Sequence, residues 1–187
     1  MTDAAVEPVS VSRQIAAPAA VVFAVLADPV KHPVIDGSGM LQRAVFRPPI
    51  SRVGETFTML MRNPHMGYYE MTNYVVEFVP GERIAWEPSL TNASRAEDQD
   101  DIGTRNNYRW SYELTPDGED GTLVTETYDC TQAPERLRKV VKDGQRWVEA
   151  MTATLEKLEQ ECGRTNELSQ RRGGRRDPRQ HHASHPS

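Results

Sequence analysis

The pattern of hydrophobic and polar positions in the first thirty residues changes from that of a strand to that of a helix. Within residues 9–15, β-branched side chains recur among polar ones, which favours a strand. Past Pro18, which suits the first turn of a helix, apolar residues recur at helical spacing between 21 and 26. Pro29 opposes a longer helix, so we expect a strand followed at once by a short helix.

The middle of the chain alternates between apolar and polar residues and predicts a series of strands. The alternating stretches cover 56–61, 68–79 and 83–87. Turn-forming residues separate them at 63–67 and 80–82. We therefore expect consecutive strands joined by tight turns.

A polar stretch and a hairpin follow this series. The strand over 83–87 is expected to end at Pro88, and the polar, acidic residues 89–103 are expected to form an insertion loop. Residues 107–115 and 122–130 then pair as a hairpin across a segment rich in glycine and aspartate.

A stripe of apolar residues at helical spacing starts after Pro134 and continues to Leu158, and it predicts one long closing helix. Gly144 lies on that stripe, where a glycine costs about 1 kcal/mol relative to alanine. Either this glycine lets the sheet approach closely, or it leaves room above a cavity. We favour the second interpretation.

The order of these segments resembles the START-like superfamily (SRPBCC, Bet v 1-like), in particular its polyketide cyclase/dehydrase and lipid-transport group. The segments that carry the resemblance are IAAPAAVVF (15–23), DP (28–29), WSYELTP (110–116) and GTLVTE (121–126). The resemblance implies an α+β helix-grip fold, in which a curved antiparallel sheet wraps around a long C-terminal helix with an internal apolar cavity. Its members include binding proteins, carriers and a few enzymes, so it implies no single activity.

The chain of 187 residues divides into three parts. Residues 1–7 are an N-terminal extension, residues 8–160 form the domain that the resemblance covers, and residues 161–187 are a basic tail. A domain of this size can bury a sizeable core without disulfides.

Charge is unevenly distributed between domain and tail. Residues 163–187 carry a net charge of +4, so the chain's net charge of −5 leaves −9 on residues 1–162. That acidic domain argues against nucleic-acid binding by the domain itself. From residue 170 onward the tail has no apolar side chain larger than alanine, so we expect it to be disordered, with arginines that could contact an acidic partner.

Motifs for metals, cofactors and covalent catalysis are missing from the sequence. The two cysteines, Cys130 and Cys162, are far apart and have no metal-ligand spacing, so we expect no metal and no cofactor. The chain shows no secretory signal and no run of about 18 apolar residues. The expectation is a soluble cytoplasmic protein.

The segment after the first helix, residues 31–40, combines a histidine, a carboxylate, two glycines and a hydroxyl. His32 and Asp36 would form an acid/base pair or polar anchors at a cavity mouth only if this segment forms a helical turn, which Pro33 puts in doubt. The alternative is a purely structural turn, which Asp36 and the glycine after it favour.

Glu126 is the other candidate for proton transfer. Alternation places it on one strand face with Val124, Tyr128 and Cys130. If that face points inward, burial raises the pKa of the carboxyl and makes it a general acid or a ligand anchor. The alternative is a solvent-facing carboxylate, or an ion pair with Arg109.

Aromatic and methionine residues of the strands and the closing helix are the candidates for ligand contact, because the resemblance places a cavity between these surfaces. Individually, such residues more often belong to a packed core. Together with Glu126, the predicted ligand-binding residues are Phe57, Met59, Met61, Tyr69, Trp86, Tyr108, Trp110, Tyr112, Tyr128, Gly144, Trp147 and Met151.

The function that fits best is binding of an apolar or aromatic small molecule, such as a lipid or polyketide-like metabolite, for sequestration, transport or sensing. The alternative is a polyketide cyclase or dehydratase in which His32, Asp36 or Glu126 transfers protons. A third possibility is a protein-interaction module that acts through the acidic loop or the basic tail.

Overall fold

The computed structural model describes residues 6–45, 48–93 and 96–173. Its elements, in chain order, are β1 (Val9–Ile15), α1 (Ala19–Leu26), α2 (His32–Ile35), β2 (Leu41–Val45), β3 (Thr56–Asn63), β4 (Gly67–Val79), β5 (Arg83–Ala93), a 3₁₀ helix (Ala96–Asp101), β6 (Arg109–Pro116), β7 (Thr122–Asp129), α3 (Glu135–Val140), a second 3₁₀ helix (Gln145–Trp147) and α4 (Val148–Gly173).

The seven strands form one curved antiparallel sheet in the order β1-β7-β6-β5-β4-β3-β2. Strand β1 pairs with β7, so the first strand of the chain lies beside the last. Helix α4 contacts β1, β7, α1 and α2, and its buried residues Met151, Leu155 and Leu158 belong to the core. The predicted helix-grip architecture is confirmed.

Strand β5 extends beyond the end that the sequence predicted. It continues through Pro88 to Ala93, and the predicted insertion loop therefore contains the end of a strand and a 3₁₀ helix. Strand β6 pairs with β5 only as far as Trp86, so the missing N–H of Pro88 interrupts no pairing on that side. Strand β2 was not predicted at all.

The closing helix is divided, whereas the sequence predicted one continuous helix. Lys142, Asp143 and Gly144 all have positive φ angles, of 51°, 50° and 93°, and separate α3 from α4. A Cβ added to Gly144 would lie 2.9 Å from Cγ2 of Val9. The glycine therefore permits close approach of the backbone to β1, and the interpretation that it leaves room above a cavity was wrong.

The apolar stripe that the sequence predicted does not form a buried face in α3. None of the α3 residues is buried, and Val140 is 62% exposed. The apolar spacing across residues 137–148 is therefore not the buried face of a helix, because the left-handed residues between α3 and α4 change the direction of the chain.

Helix α4 continues past the predicted domain end at residue 160. Cys162 is fully buried in the core, and the buried Glu161 accepts a hydrogen bond from Lys31 at 2.7 Å. Helix α4 thus contributes to the core beyond residue 160, and the domain boundary itself stays a prediction. Residues 174–187 of the predicted tail and 1–5 of the extension lie outside the described residues.

Candidate functional site

Glu126 lies on the inner face of the sheet, in the middle of β7. Strand β7 alternates buried positions with partly buried or exposed ones, and its buried, inward-facing residues are Thr122, Val124, Glu126 and Tyr128. The strand register places Glu126 directly opposite Val11 of β1 and Tyr112 of β6. The sequence left undecided which face of β7 points inward. The structure shows that the face carrying Glu126 does.

The Glu126 carboxyl has one hydrogen-bonded oxygen and one that is unpaired. The Tyr112 hydroxyl donates to its Oε1 at 2.8 Å, whereas its buried Oε2 has no hydrogen-bond partner. Glu126 is only 3% exposed, and burial raises its pKa from 4.5 to about 8. Arg109, the proposed ion-pair partner, lies opposite Asp129 instead.

Tyr112 and Glu126 each change the pKa of the other. Burial, followed by the nearby Glu126 carboxylate, raises the pKa of the Tyr112 hydroxyl well above 10.0, so this hydroxyl remains protonated. Its hydrogen bond opposes part of the effect of burial on the pKa of Glu126. The negative charge of Asp36 raises the pKa values of both Tyr112 and Glu126.

His32 begins α2 and lies inside the core. Its Nε2 is 2.8 Å from the carbonyl oxygen of Leu26, its ring stacks on Trp86 at 5.3 Å, and it meets Phe57 edge-on at 5.2 Å. Burial lowers its pKa, so the imidazole is neutral at pH 7. Trp86 lies 5.8 Å from the Tyr112 ring, which completes a line of contacts from His32 to Glu126.

Asp36 holds a turn together. Its Oδ1 accepts hydrogen bonds from the backbone N–H and hydroxyl of Ser38, and its Oδ2 accepts one from the N–H of Leu41 at 2.9 Å. Its backbone oxygen also accepts a hydrogen bond from Lys157 of α4. The helical turn that the pair with His32 required does form, but the two side chains bond to different partners, so an acid/base pair is not assembled.

A second group of aromatic residues lies at the other end of β6 and β7. Trp110 lies 4.6 Å from Tyr128 and 5.8 Å from Trp147, and Tyr108 lies 5.9 Å from Tyr128. Met151 of α4 is buried in the same cluster. Tyr108, Trp110 and Trp147 are only partly buried, so this end of the inner face is accessible from solvent.

The remaining predicted contact residues line the β3 and β4 part of the inner face. Phe57 and Met59 are buried in the main core, Met61 packs against it, and Tyr69 belongs to a smaller cluster with Leu90. These side chains pack in clusters on the inner face, where the sequence predicted a cavity. The internal cavity itself stays a prediction.

A surface hollow of about 330 Å³ opens at the start of β3, with Phe57 at its base. The rest of its lining is Pro48, Ile50, Arg52, Gly54, Glu55 and Thr56. This mixed polar lining differs from the apolar surface that the sequence predicted, and the residues proposed for ligand contact, apart from Phe57, lie elsewhere.

Asn73 is a buried polar residue on the inner face that the sequence analysis missed. It lies opposite Phe57 of β3 and Pro88 of β5, and its amide nitrogen donates two long hydrogen bonds, of 3.4 Å to the Phe57 carbonyl oxygen and 3.5 Å to that of Met71. Alternation with the apolar residue at 75 would have identified its inward direction.

Two negative findings apply to the described parts of the chain. No group of three histidine, cysteine or acidic side chains there has an arrangement that could hold a metal ion. Among the helices described, none combines the length and apolar character needed to cross a membrane.

Comparisons with known proteins agree with the fold described above. An uncharacterized protein of Mycobacterium tuberculosis, Rv0088, is 29% identical over an alignment of 174 residues that covers 88% of this chain and 68% of that protein. The crystal structure of Ms6760 from Mycobacterium smegmatis superimposes with a TM-score of 0.61 at 17% identity, covering 87% of this chain and 95% of that one.

A Thalictrum flavum norcoclaurine synthase point mutant, solved in complex with a transition-state analogue, superimposes with a TM-score of 0.57 at 12% identity, covering 86% of this chain and 96% of that one. At these identities the solved structures show a shared fold. The family model described as "Polyketide cyclase / dehydrase and lipid transport" matches residues 8–163. The chain therefore belongs to the polyketide cyclase/dehydrase and lipid-transport family.

Proposed function

We propose that this protein binds an apolar small molecule on the inner face of its sheet, with Glu126 and Tyr112 as the polar anchor. The observation that carries the proposal is the unpaired Oε2 of Glu126, a carboxyl oxygen buried among apolar side chains. A ligand with a complementary polar atom would pair with this oxygen.

The arrangement is costly for a core that serves only stability. A buried polar group without a partner costs about 1–3 kcal/mol, and an apolar side chain of similar size would avoid that cost. The sequence nevertheless has glutamate at position 126, between Val11 on one neighbouring strand and Tyr112 on the other. Binding a ligand is a function that accounts for this cost.

The walls around the anchor suit an apolar ligand. Aromatic residues lie on either side of Glu126 along the sheet, and Trp86 and Trp110 bring two indole rings to the same face. Met151 of α4, buried in the same cluster as Tyr128, adds a flexible side chain that can rearrange around a bound ligand. A ligand that displaces these side chains gains about 25 cal/mol per Å² of apolar surface buried, before entropic losses.

The family and the fold support a small-molecule site. The family description covers both catalytic and lipid-transport proteins, and the norcoclaurine synthase mutant with the same fold holds a transition-state analogue. These likenesses support the class of function, and the unpaired oxygen of Glu126 supports the proposed location in this chain.

Catalysis by a cyclase- or dehydratase-type mechanism is a second candidate. A carboxyl whose pKa is about 8 would be an effective general acid near neutral pH, which favours Glu126 for that role. His32 is neutral inside the aromatic core and Asp36 is bonded into a turn, so both are weaker candidates. Glu126→Gln would abolish turnover of a poly-β-keto substrate while preserving its binding, and unchanged turnover would exclude this candidate.

The experiment that tests binding uses the full chain and an uncharged apolar dye, N-phenyl-1-naphthylamine. Its fluorescence should rise on binding, with energy transfer from the tryptophans. Val11→Phe adds bulk on the inner face directly opposite Glu126 and should weaken binding at least tenfold. Leu123→Phe adds the same kind of bulk to β7 at a side chain that is 39% exposed, and it should leave the affinity unchanged.

Two results would contradict the proposal. The first is that the dye shows no saturable binding and that lipids and aromatic polyketides show none either. The second is equal affinity in the Val11→Phe and Leu123→Phe variants when both retain wild-type thermal stability, because the ligand would then lie away from Glu126.

A further inference from the structure

We infer that the ligand presents a hydrogen-bond acceptor, such as a ketone, ester or quinone oxygen, to Oε2 of Glu126, and that Glu126 donates the hydrogen. This inference rests on the proposed function and specifies the chemistry of the bound molecule. It follows from the fact that one oxygen of the carboxyl already accepts a hydrogen bond, whereas the other has no hydrogen-bond partner.

The two oxygens of Glu126 have different roles. The Tyr112 hydroxyl has a single proton and donates it to Oε1, so Oε1 is an acceptor in this hydrogen bond. A neutral carboxyl has one O–H group, and placing its proton on Oε2 leaves Oε1 free to accept. The unpaired Oε2 therefore carries the donor, and its partner must be an acceptor.

The groups around Glu126 favour this neutral form. On β1, Val11 lies opposite, and Arg13 directs its guanidinium away to Glu159 of α4 at 2.8 Å. On β6 the facing group is the neutral Tyr112 hydroxyl. The charge that acts on Glu126 from further away is the negative charge of Asp36, which also opposes ionisation.

The same arrangement discriminates between classes of apolar ligand. A carboxylate ligand, such as an ionised fatty acid, would have to bury its negative charge among apolar side chains and near the negative charge of Asp36. A hydrocarbon would leave Oε2 unpaired. An alcohol could accept from Oε2, but its own proton would be buried without an acceptor, and a site that leaves a polar group unpaired rejects that ligand.

The test compares four naphthalene probes of nearly equal size by competition with N-phenyl-1-naphthylamine at pH 7. They are a ketone (2-acetonaphthone), an alcohol (1-(2-naphthyl)ethanol), a hydrocarbon (2-ethylnaphthalene) and a carboxylate (2-naphthoate). We expect the ketone to bind tightest, with the hydrocarbon and alcohol weaker by about tenfold, the equivalent of one net hydrogen bond. The carboxylate should bind weakest.

Two variants locate the preference at Glu126. Glu126→Gln retains an N–H donor and an acceptor for Tyr112, so it should keep the ketone preference. Glu126→Leu removes the donor, so it should bind the ketone and the hydrocarbon equally while still binding the hydrocarbon. Thermal melting of both variants shows whether each is folded.

The possible failures are distinguishable. If the hydrocarbon or alcohol equals the ketone in the wild type, or if the ketone preference survives in Glu126→Leu, this inference is wrong and the proposed function stands. If the dye binds but none of the four probes displaces it, the inference is wrong; if the dye itself does not bind, the proposed function fails and the inference fails with it.

Discussion

Replacing Glu126 with glutamine should change how the stability of this protein depends on pH. The folded pKa of Glu126 is about 8, above its ordinary value of 4.5, so the folded chain retains a proton that the unfolded chain has already released at neutral pH. Above pH 4.5, therefore, the native state binds more protons than the unfolded state, and the free energy of unfolding falls as pH rises.

The magnitude follows from the two pKa values. Each pH unit between 4.5 and about 8 removes about 1.4 kcal/mol, and the effect ends above the folded pKa. The full difference is about 5 kcal/mol as an upper bound, because relaxation of the surroundings reduces the cost of a buried charge. Glutamine at 126 has no proton to lose, so the Glu126→Gln variant should lack this dependence.

The assay is urea unfolding of the wild type and the variant at intervals from pH 5 to 9. The difference in unfolding free energy between the two proteins should change steadily in favour of the variant and become constant above pH 8. His32, whose pKa burial lowers from 6.5, destabilises the fold as pH falls below 6.5, but this contribution is common to both proteins and cancels.

Glu113→Gln is the matched control, because Glu113 is an exposed carboxyl next to Tyr112 on β6. If the Glu113→Gln and Glu126→Gln variants differ from the wild type with the same dependence on pH, the effect comes from the loss of a surface charge and not from the burial of Glu126. If the difference for Glu126→Gln is constant from pH 5 to 9, the carboxyl is not held in its neutral form and the reasoning is refuted.

Three further substitutions test the packing that surrounds this site. Tyr112→Phe leaves both oxygens of Glu126 unpaired, so urea unfolding should show a loss of about 1–3 kcal/mol, and the titration midpoint of the carboxyl should rise; an unchanged midpoint would contradict the hydrogen bond. Gly144→Ala places a Cβ 2.9 Å from Val9 at a residue whose φ is already positive. It should therefore lower the melting temperature more than Gly118→Ala, where φ is also positive but the space is open. Equal losses would mean that the backbone conformation alone matters. Gly37→Ala would place a methyl group 2.0 Å from a carbonyl oxygen of α4 and should cost about 3 kcal/mol or more, so wild-type stability would show that α2 does not pack on α4 as described.

Local patterns predicted most of the fold because they report physical constraints that act over a few residues. β1, α1 and the β6–β7 hairpin follow alternation, helical spacing and turn chemistry that the sequence shows directly. The continuation of β5 through Pro88 depends on where β6 stops pairing, which is a long-range property. The break at residues 142–144 arises because Gly144 packs on Val9, more than a hundred residues earlier.

The candidate site was predictable only in part. Alternation placed Glu126 beside apolar residues, but only the sheet itself shows that this face points inward and that Tyr112 lies opposite. The acid/base pair of His32 and Asp36 failed because each side chain found another partner that spacing does not reveal. Asn73 was missed because a single amide within an aromatic strand gives no chemical signal of its own.

The most direct test of the account is a nuclear magnetic resonance titration of the Glu126 carboxyl in protein labelled with ¹³C at the glutamate side chains. The Glu126→Gln variant identifies the resonance by its disappearance. The account predicts a midpoint near pH 8 in the free protein, and saturating 2-acetonaphthone should shift the resonance and raise the midpoint further, because an acceptor stabilises the neutral acid. A midpoint near pH 4.5, or a resonance that the bound ketone leaves unchanged, would contradict it.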